Sequence, residues 1–192
     1  MSFALLISRI FEPIVLFVFI LVMVFVQAHL PLATALWQGG IILCVMIVPP
    51  MLLLIRAIKQ KKISGWDMSD RKQRVRAFVV FLMFFAFGLL LLSLFREPVI
   101  THFFLYMFVV FLLFFAVTLI YKISGHLTGL AIWIICVSSW FGWYTNLLFL
   151  MLPLLCWSRV ALKRHTVGQV LLGSVFGLIA GYIGIRFGYI PH

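Results

Sequence analysis

The stretch from Leu127 to Trp157, LTGLAIWIICVSSWFGWYTNLLFLMLPLLCW, runs for 31 positions without a charged residue. A helix needs about 20 predominantly apolar residues to cross the hydrocarbon core of a bilayer. The stretch is therefore too long for one comfortable span and barely long enough for two. The polar patch Tyr144-Thr145-Asn146 is the expected turn, which predicts one helix from about Ile123 to Trp143 and a shorter one from about Leu147 to Lys163.

The rest of the chain has the same apolar character. Of its 192 residues, 66% are hydrophobic and only 10% are charged, a balance outside the range of soluble domains. Further apolar runs cover Pro13–Leu30, Leu36–Ile55, Ala77–Phe95, Val99–Tyr121 and Thr166–Ile185, with a break at Arg96-Glu97-Pro98 between the third and the fourth. The sequence therefore predicts an all-α polytopic membrane helix bundle of about seven (six to seven) transmembrane helices, forming a single domain over 1–192.

Proline and glycine predict where these helices bend and pack. Pro49-Pro50 lies inside a predicted span, where proline removes a backbone donor and should kink or break the helix. In the last span, glycines recur at small-xxx-small spacing, at Gly173, Gly177, Gly181 and Gly184. This pattern favours close approach of a neighbouring helix in lipid.

The charges are gathered between the apolar runs. The net charge is +11, but no basic face of a soluble domain exists to bind nucleic acid, and anionic lipid head groups or phosphates are the expected partners. With seven spans, 13 of the 15 Lys and Arg residues fall on one face of the membrane. The positive-inside rule predicts that this face is cytoplasmic, in the plasma (inner) membrane. No metal or other cofactor is indicated, because clustered Cys and His ligands and paired Asp-rich magnesium motifs are absent from the sequence.

Two short motifs lie on that face, each where an apolar run meets a cluster of charge. They are Lys122-Ile-Ser-Gly-His126 and Ser158-Arg159-x5-His165. Ionisable residues at the ends of membrane spans point to function. A histidine can act as a nucleophile or as a general acid, and an arginine can hold phosphate oxygens. The two motifs together indicate phosphoryl transfer at a lipid head group, against the alternative that both histidines simply cap their spans.

These motifs resemble two signatures of the type 2 phosphatidic acid phosphatase superfamily. Ser158-Arg159-x5-His165 is similar to its third signature (Ser-Arg, five residues, His, three residues, Asp), and the stretch ending at His126 is similar to its second, Pro-Ser-Gly-His. Asp70-Arg-Lys-Gln-Arg74 stands where a first signature is sought but lacks its Lys-x6-Arg-Pro pattern. About 25 residues carry the resemblance, which is to an atypical bacterial or archaeal-like branch with His-Thr-x-x-Gln in place of His-x-x-x-Asp.

The resemblance implies a role for each residue of the motifs. His165 would be the nucleophile that forms a phosphohistidine, and His126 the general acid for the leaving lipid oxygen. Arg159, Lys122, Arg71 and Arg74 would hold the phosphate oxygens, with hydrogen bonds from Ser124 and the Gly125 amide. It implies a phosphatase acting on an isoprenoid or phosphatidyl-type lipid, as a phosphomonoester or a diphosphate.

One position departs from the superfamily pattern. Gln169 stands where the superfamily has the Asp that follows its nucleophile by four residues. On a helix, residues 165 and 169 share a face, so we expect the Gln169 carbonyl to accept from His165 and fix its tautomer. A neutral partner cannot stabilise an imidazolium by charge. The sequence therefore leaves open a catalytically silent relative that binds anionic lipid or serves as a structural subunit of a membrane complex, and also leaves open homo-oligomers.

Overall fold

The structure, a computed structural model, describes residues 2–65, 68, 70–94 and 98–191. It is 83% helical and has no β-strand in these residues, which confirms the all-α fold class. In chain order the helices are α1 (Phe3–Ile10), α2 (Pro13–Gln27), α3 (Leu32–Ile41), a π-helical segment (Ile42–Ile47), α4 (Val48–Lys59), α5 (Arg71–Ser93), α6 (Pro98–Ile120), α7 (Gly125–Phe141), a 3-10 helix (Trp143–Leu150), α8 (Met151–Ala161) and α9 (Val167–Arg186).

Six helical stretches of the described residues are long and apolar enough to cross a membrane. They are Phe3–Gln27, Leu32–Lys59, Arg71–Ser93, Pro98–Ile120, Trp143–Ala161 and Val167–Arg186, with Gly125–Phe141 as a shorter apolar helix. The polytopic helix bundle is thereby confirmed. Arg96 and Glu97 of the expected break lie outside the described residues, as does Asp67.

The turn within Leu127–Trp157 comes earlier than the polar patch suggested. The chain leaves α7 at Gly142, whose φ of 94° and ψ of 179° favour glycine. The residues expected to form the turn, Tyr144 to Asn146, instead lie in the 3-10 helix that leads into α8. The prediction of two helices was right and the position of the turn was wrong, because backbone freedom at a single glycine decided it.

The chain forms two compact units. The first contains 1–27 and 121–192, and the second contains 28–120. The first unit holds α1, α2 and α7–α9, and the second holds α3–α6 with the π-helical segment. The expectation of one domain over 1–192 stays a prediction.

In the first unit, α7 and α9 pack through glycines, as the small-xxx-small spacing predicted. A Cβ on Gly173 would stand 2.7 Å from the Ser124 carbonyl oxygen, and one on Gly177 would stand 2.7 Å from the Cβ of Ala131. One on Gly181 would stand 2.8 Å from Ile135. Real Cβ atoms essentially never approach this closely. Because these glycines have no side chain, α7 and α9 can approach closely. The close approach also brings together the polar residues at the N-terminal ends of the two helices.

In the second unit, α5 and α6 pack through phenylalanine rings. Phe78 stacks on Phe114 at 5.5 Å between centroids, and Phe81 meets Phe111 edge-on at 5.1 Å. Pro49 and Pro50 fall in the first turn of α4, directly after the π-helical segment. The first turn of a helix tolerates proline because its backbone N–H groups need no intrahelical acceptor. The expected interruption is therefore a change of helical hydrogen bonding within the continuous span Leu32–Lys59.

Candidate functional site

A tight turn between α8 and α9 sets the spacing of Arg159 and His165. The backbone N–H of Arg164 donates to the Arg159 carbonyl at 3.1 Å, and that of Lys163 donates to Val160 at 2.9 Å. Lys163 adopts a left-handed φ of 53°. These two bonds and the left-handed residue form a Schellman motif, which closes the C-terminus of a helix. The turn carries the chain from the last turn of α8 to His165, just before α9.

The N-terminal helix α1 holds Arg159 in place. The Arg159 side chain is 3% exposed, and its Nη1 donates to the Ser8 hydroxyl at 2.7 Å. The neighbouring Ser158 hydroxyl donates to the Ala4 carbonyl at 2.6 Å. A buried guanidinium needs such hydrogen bonds to offset its desolvation. Contacts with α1 thus fix the charge that the resemblance assigns to phosphate binding.

His165 is oriented by Gln169, through a different geometry from the one expected. His165 precedes α9, so the two residues do not share a helix face. Thr166 is the N-cap of α9, and Gln169 completes a capping box with it. The Oε1 atom of Gln169 accepts from the Thr166 backbone N–H at 3.2 Å and lies 3.1 Å from Nδ1 of His165.

The capping box also fixes the tautomer of His165. A backbone N–H can only donate, so the Gln169 atom that it contacts is the carbonyl oxygen. The His165 nitrogen facing that oxygen must then carry a proton, which leaves the lone pair on Nε2. Nε2 is the nitrogen that could attack phosphorus.

The surroundings of His165 keep it neutral. Burial above all, and then the nearby charges of Lys122, Arg159 and His126, lower its pKa from 6.5 to about 3, although the Gln169 hydrogen bond acts in the opposite direction. The same interactions show that these three residues lie near the imidazole. The structure therefore brings together both histidines, Arg159 and Lys122, which are distant in sequence.

The N-terminal end of α7 supplies the second half of the site. Ser124 is its N-cap, but the hydroxyl makes no capping bond; it is fully buried and has no hydrogen-bond partner among the described residues. The Ser124 backbone N–H donates to the backbone carbonyl of Gln169 at 3.3 Å, and this bond connects the N-terminal ends of α7 and α9. Gly125 is the first residue of α7, where backbone N–H groups have no intrahelical acceptor.

Lys122 and His126 have partners that the sequence did not suggest. Nζ of Lys122 donates to the Arg164 carbonyl at 2.8 Å. Nε2 of His126 lies 3.5 Å from Oε2 of Glu12, which stands between α1 and α2. Lys122 thus braces the turn that carries His165, while His126 faces a carboxylate.

Arg71 and Arg74 belong to the second unit, so the site described above consists of first-unit residues alone. Asp70 is the N-cap of α5 and accepts from the Gln73 backbone N–H at 2.8 Å. Nη1 of Arg74 donates to the Met68 carbonyl at 3.1 Å. The phosphate-binding role of these two arginines stays a prediction.

Comparison with protein-family models, with curated proteins and with solved structures finds no match for this chain. The site therefore has to be interpreted from its own residues. Among the described residues, no three His, Cys, Asp or Glu side chains come together as metal ligands would. What the first unit does gather is a neutral histidine, cationic side chains and a second histidine that faces a carboxylate.

Sequence reasoning missed Ser8 and Glu12. Ser8 gave no signal, since a serine in a short helix is common and its contact with Arg159 spans 151 positions. Glu12 did give one. It is the only acidic residue in the sequence of the first unit, and it directly precedes the proline that begins a span.

Proposed function

We propose that this protein is an integral membrane lipid-phosphate phosphatase of the type 2 phosphatidic acid phosphatase superfamily. Its substrate is a phosphomonoester or diphosphate of an isoprenoid or phosphatidyl-type lipid, and the reaction passes through a phosphohistidine. The observation that carries the proposal is the state of His165. It is a neutral imidazole with Nδ1 held by Gln169 and with the charges of Arg159 and Lys122 close by.

The first half of the reaction transfers the phosphoryl group to His165. The Nε2 lone pair attacks phosphorus, and the bond between phosphorus and the lipid oxygen breaks. His126, as an imidazolium, gives its proton to the departing oxygen. Arg159 and Lys122 stabilise charge on the phosphoryl oxygens, where positioning and fixed charge dominate this chemistry.

The second half releases phosphate. Neutral His126 takes a proton from a water molecule as that water attacks phosphorus. The bond between phosphorus and Nε2 breaks, and its electron pair returns to the ring. Nδ1 of His165 keeps its proton and its bond to Gln169 throughout, so the imidazole leaves as the same neutral tautomer that began the reaction.

An apolar groove beside the turn supports a lipid substrate. A cavity of about 410 Å³ lies between α8 and α9, lined by Cys156, Trp157, Val160, Ala161, Val167, Val170 and Leu171. Val160 and Val167 are close in sequence to Arg159 and His165. A hydrocarbon chain in this groove would leave its phosphate beside the polar turn.

Phosphate release from a panel of lipid phosphates tests the proposal. Purified protein would be given phosphatidate, a prenyl monophosphate and a prenyl diphosphate in mixed micelles, with vanadate as inhibitor. We expect vanadate-sensitive release from at least one of them. His165→Ala should abolish it, and His126→Ala should lower it about 10²- to 10⁴-fold.

The matched control is His102→Ala, which replaces an exposed histidine of α6 in the second unit. It should leave phosphate release unchanged. Labelled phosphate trapped on the wild type in acid-labile, base-stable form, and absent from His165→Ala, would identify the intermediate. Absence of release from every substrate would favour the silent lipid-binding or structural protein that Gln169 suggests.

We also propose that the motif face lies on the cytoplasmic side of the plasma (inner) membrane, because it carries most of the basic residues. A cysteine at Lys163, in a background without the three native cysteines, tests this orientation. A membrane-impermeant maleimide should label it in inverted vesicles and not in intact cells.

A further inference from the structure

Glu12 occupies a unique electrostatic position in the first unit. The sequence of that unit contains one acidic residue against six basic ones: Arg9, Lys122, Arg159, Lys163, Arg164 and Arg186. The Glu12 carboxylate lies 3.5 Å from Nε2 of His126, and the two side chains are 32% and 13% exposed. The one acidic side chain in the sequence of the first unit thus faces His126, one of the two histidines of the candidate site.

Backbone structure places Glu12 there. Phe11 caps α1, whose buried residues Ala4, Ile7 and Ser8 pack towards α8, and α2 begins at Pro13. Pro13 and Leu16 lie against Gly129 of α7, within 4 Å of where its Cβ would be. The residue between the two helices is therefore held next to the first turn of α7, where His126 lies.

The two histidines need opposite charge states for the proposed reaction. The nucleophile must be neutral, and His165 is neutral because it is buried among positive charges, which outweigh the opposing effect of the Gln169 hydrogen bond. The proton donor must be an imidazolium. Among the described residues, the charged groups beside the histidine pair include Lys122 before α7, Arg159 of α8 and Glu12 before α2, and of these three Glu12 carries the negative charge.

We propose that Glu12 is the positioning residue that holds His126 in place as the proton donor to the leaving lipid oxygen. Nε2 of His126 lies within ion-pair distance of the carboxylate, at 3.5 Å, and Nδ1 is the nitrogen that delivers the proton. In this chain the carboxylate of the site therefore acts on the proton donor, while the nucleophile has a neutral amide. The inference rests on the proposed phosphatase function and goes beyond the superfamily resemblance, which assigns no residue of the N-terminal segment.

Substrates that differ in their need for a proton donor test the proposal. An alkyl lipid phosphate requires protonation of its leaving oxygen, whereas p-nitrophenyl phosphate releases an anion that is stable without it. In Glu12→Gln we expect kcat for the lipid to fall about 10- to 100-fold, and kcat for the aryl ester to change less than about threefold.

Two further variants make the test specific. Glu12→Asp keeps the carboxylate on a shorter side chain and should recover part of the lipid activity. Arg9→Gln removes an exposed charge from the adjacent helix and should leave the activity on both esters unchanged. A general loss of folding would lower both substrates equally and would appear as a lower melting temperature.

The outcomes separate the inference from the function on which it rests. If wild-type protein releases phosphate and His165→Ala does not, the phosphatase stands. Equal effects of Glu12→Gln on both esters, at an unchanged melting temperature, would then overturn the role of Glu12 alone. If wild-type protein releases phosphate from no substrate and traps no phosphohistidine, the function fails and the inference fails with it.

Discussion

Gly177 sits at the closest approach of α7 and α9, and replacing it with alanine should separate the two helices. The added Cβ would stand 2.7 Å from the Cβ of Ala131 and 2.9 Å from the Cα of Thr128, with the Thr128 carbonyl oxygen nearer still. Both neighbours are atoms on the α7 backbone or attached directly to it, so neither can rotate away. The helices must move apart by at least about 0.7 Å to reach an ordinary contact of 3.4 Å.

The cost of this movement follows from packing. Overpacking a well-packed core typically costs about 1–3 kcal/mol, and helices in lipid have little hydrophobic attraction to compensate for lost van der Waals contact. For a chain of this size, each kcal/mol lowers the melting temperature by about 2–4 °C. We therefore expect Gly177→Ala to melt roughly 2–12 °C below the wild type.

Thermal unfolding of purified protein in one detergent measures the effect, with Gly40→Ala as the matched control. Gly40 also lies in a membrane-spanning helix, but nothing stands within 4 Å of where its Cβ would be. Its replacement should be neutral or stabilise by up to about 1 kcal/mol, since alanine favours helix. A Gly177→Ala protein that melts at or above the wild type, with Gly40→Ala unchanged, would refute the packing argument.

Three further predictions concern the turn and its partners. Between pH 6.5 and about 3 an unfolded His165 takes up a proton that the folded one does not. The free energy of unfolding should therefore decrease by up to about 1.4 kcal/mol per pH unit as the pH falls through this window. Chemical denaturation at several pH values should show a smaller dependence of the free energy of unfolding on pH for His165→Asn than for the wild type. Ser8→Ala should lower stability by about 1–3 kcal/mol, because the buried Arg159 guanidinium loses the hydrogen bond from Nη1 to Ser8, and it should lower phosphate release in the same assay. Lys163→Gly should stabilise by up to about 1 kcal/mol, because glycine adopts the left-handed φ of 53° without strain; a lower melting temperature would contradict this.

Local pattern was enough to predict most of the helices. Two runs expected at Ala77–Phe95 and Val99–Tyr121 correspond to α5 (Arg71–Ser93) and α6 (Pro98–Ile120), because the hydrocarbon length and the flanking charges limit where a span can end. The separate helix α1 was not predicted. It is short and contains a charged residue, so hydropathy alone placed the start of the first span at Pro13.

The sequence predicted the motif residues of the site, but it did not predict the residues from other helices that contact them. The spacing of Arg159 and His165 reflects a local turn, and Gln169 lies within the same capping box as Thr166, so short-range chemistry indicated their proximity. Ser8 and Glu12 reach the site through tertiary packing of α1 and α2. No periodicity or motif encodes a contact between positions more than 100 residues apart.

The anchoring of α8 by α1 has a consequence for biosynthesis. Synthesis proceeds from the N-terminus, so Ser8 is made 151 residues before Arg159, an interval of roughly 8 to 30 seconds at ordinary rates of translation. Throughout that time the buried face of α1 has no α8 to cover it, and lipid or the insertion machinery must shelter it. The hydrogen bond between Arg159 and Ser8 can therefore form only after α8 has been synthesised.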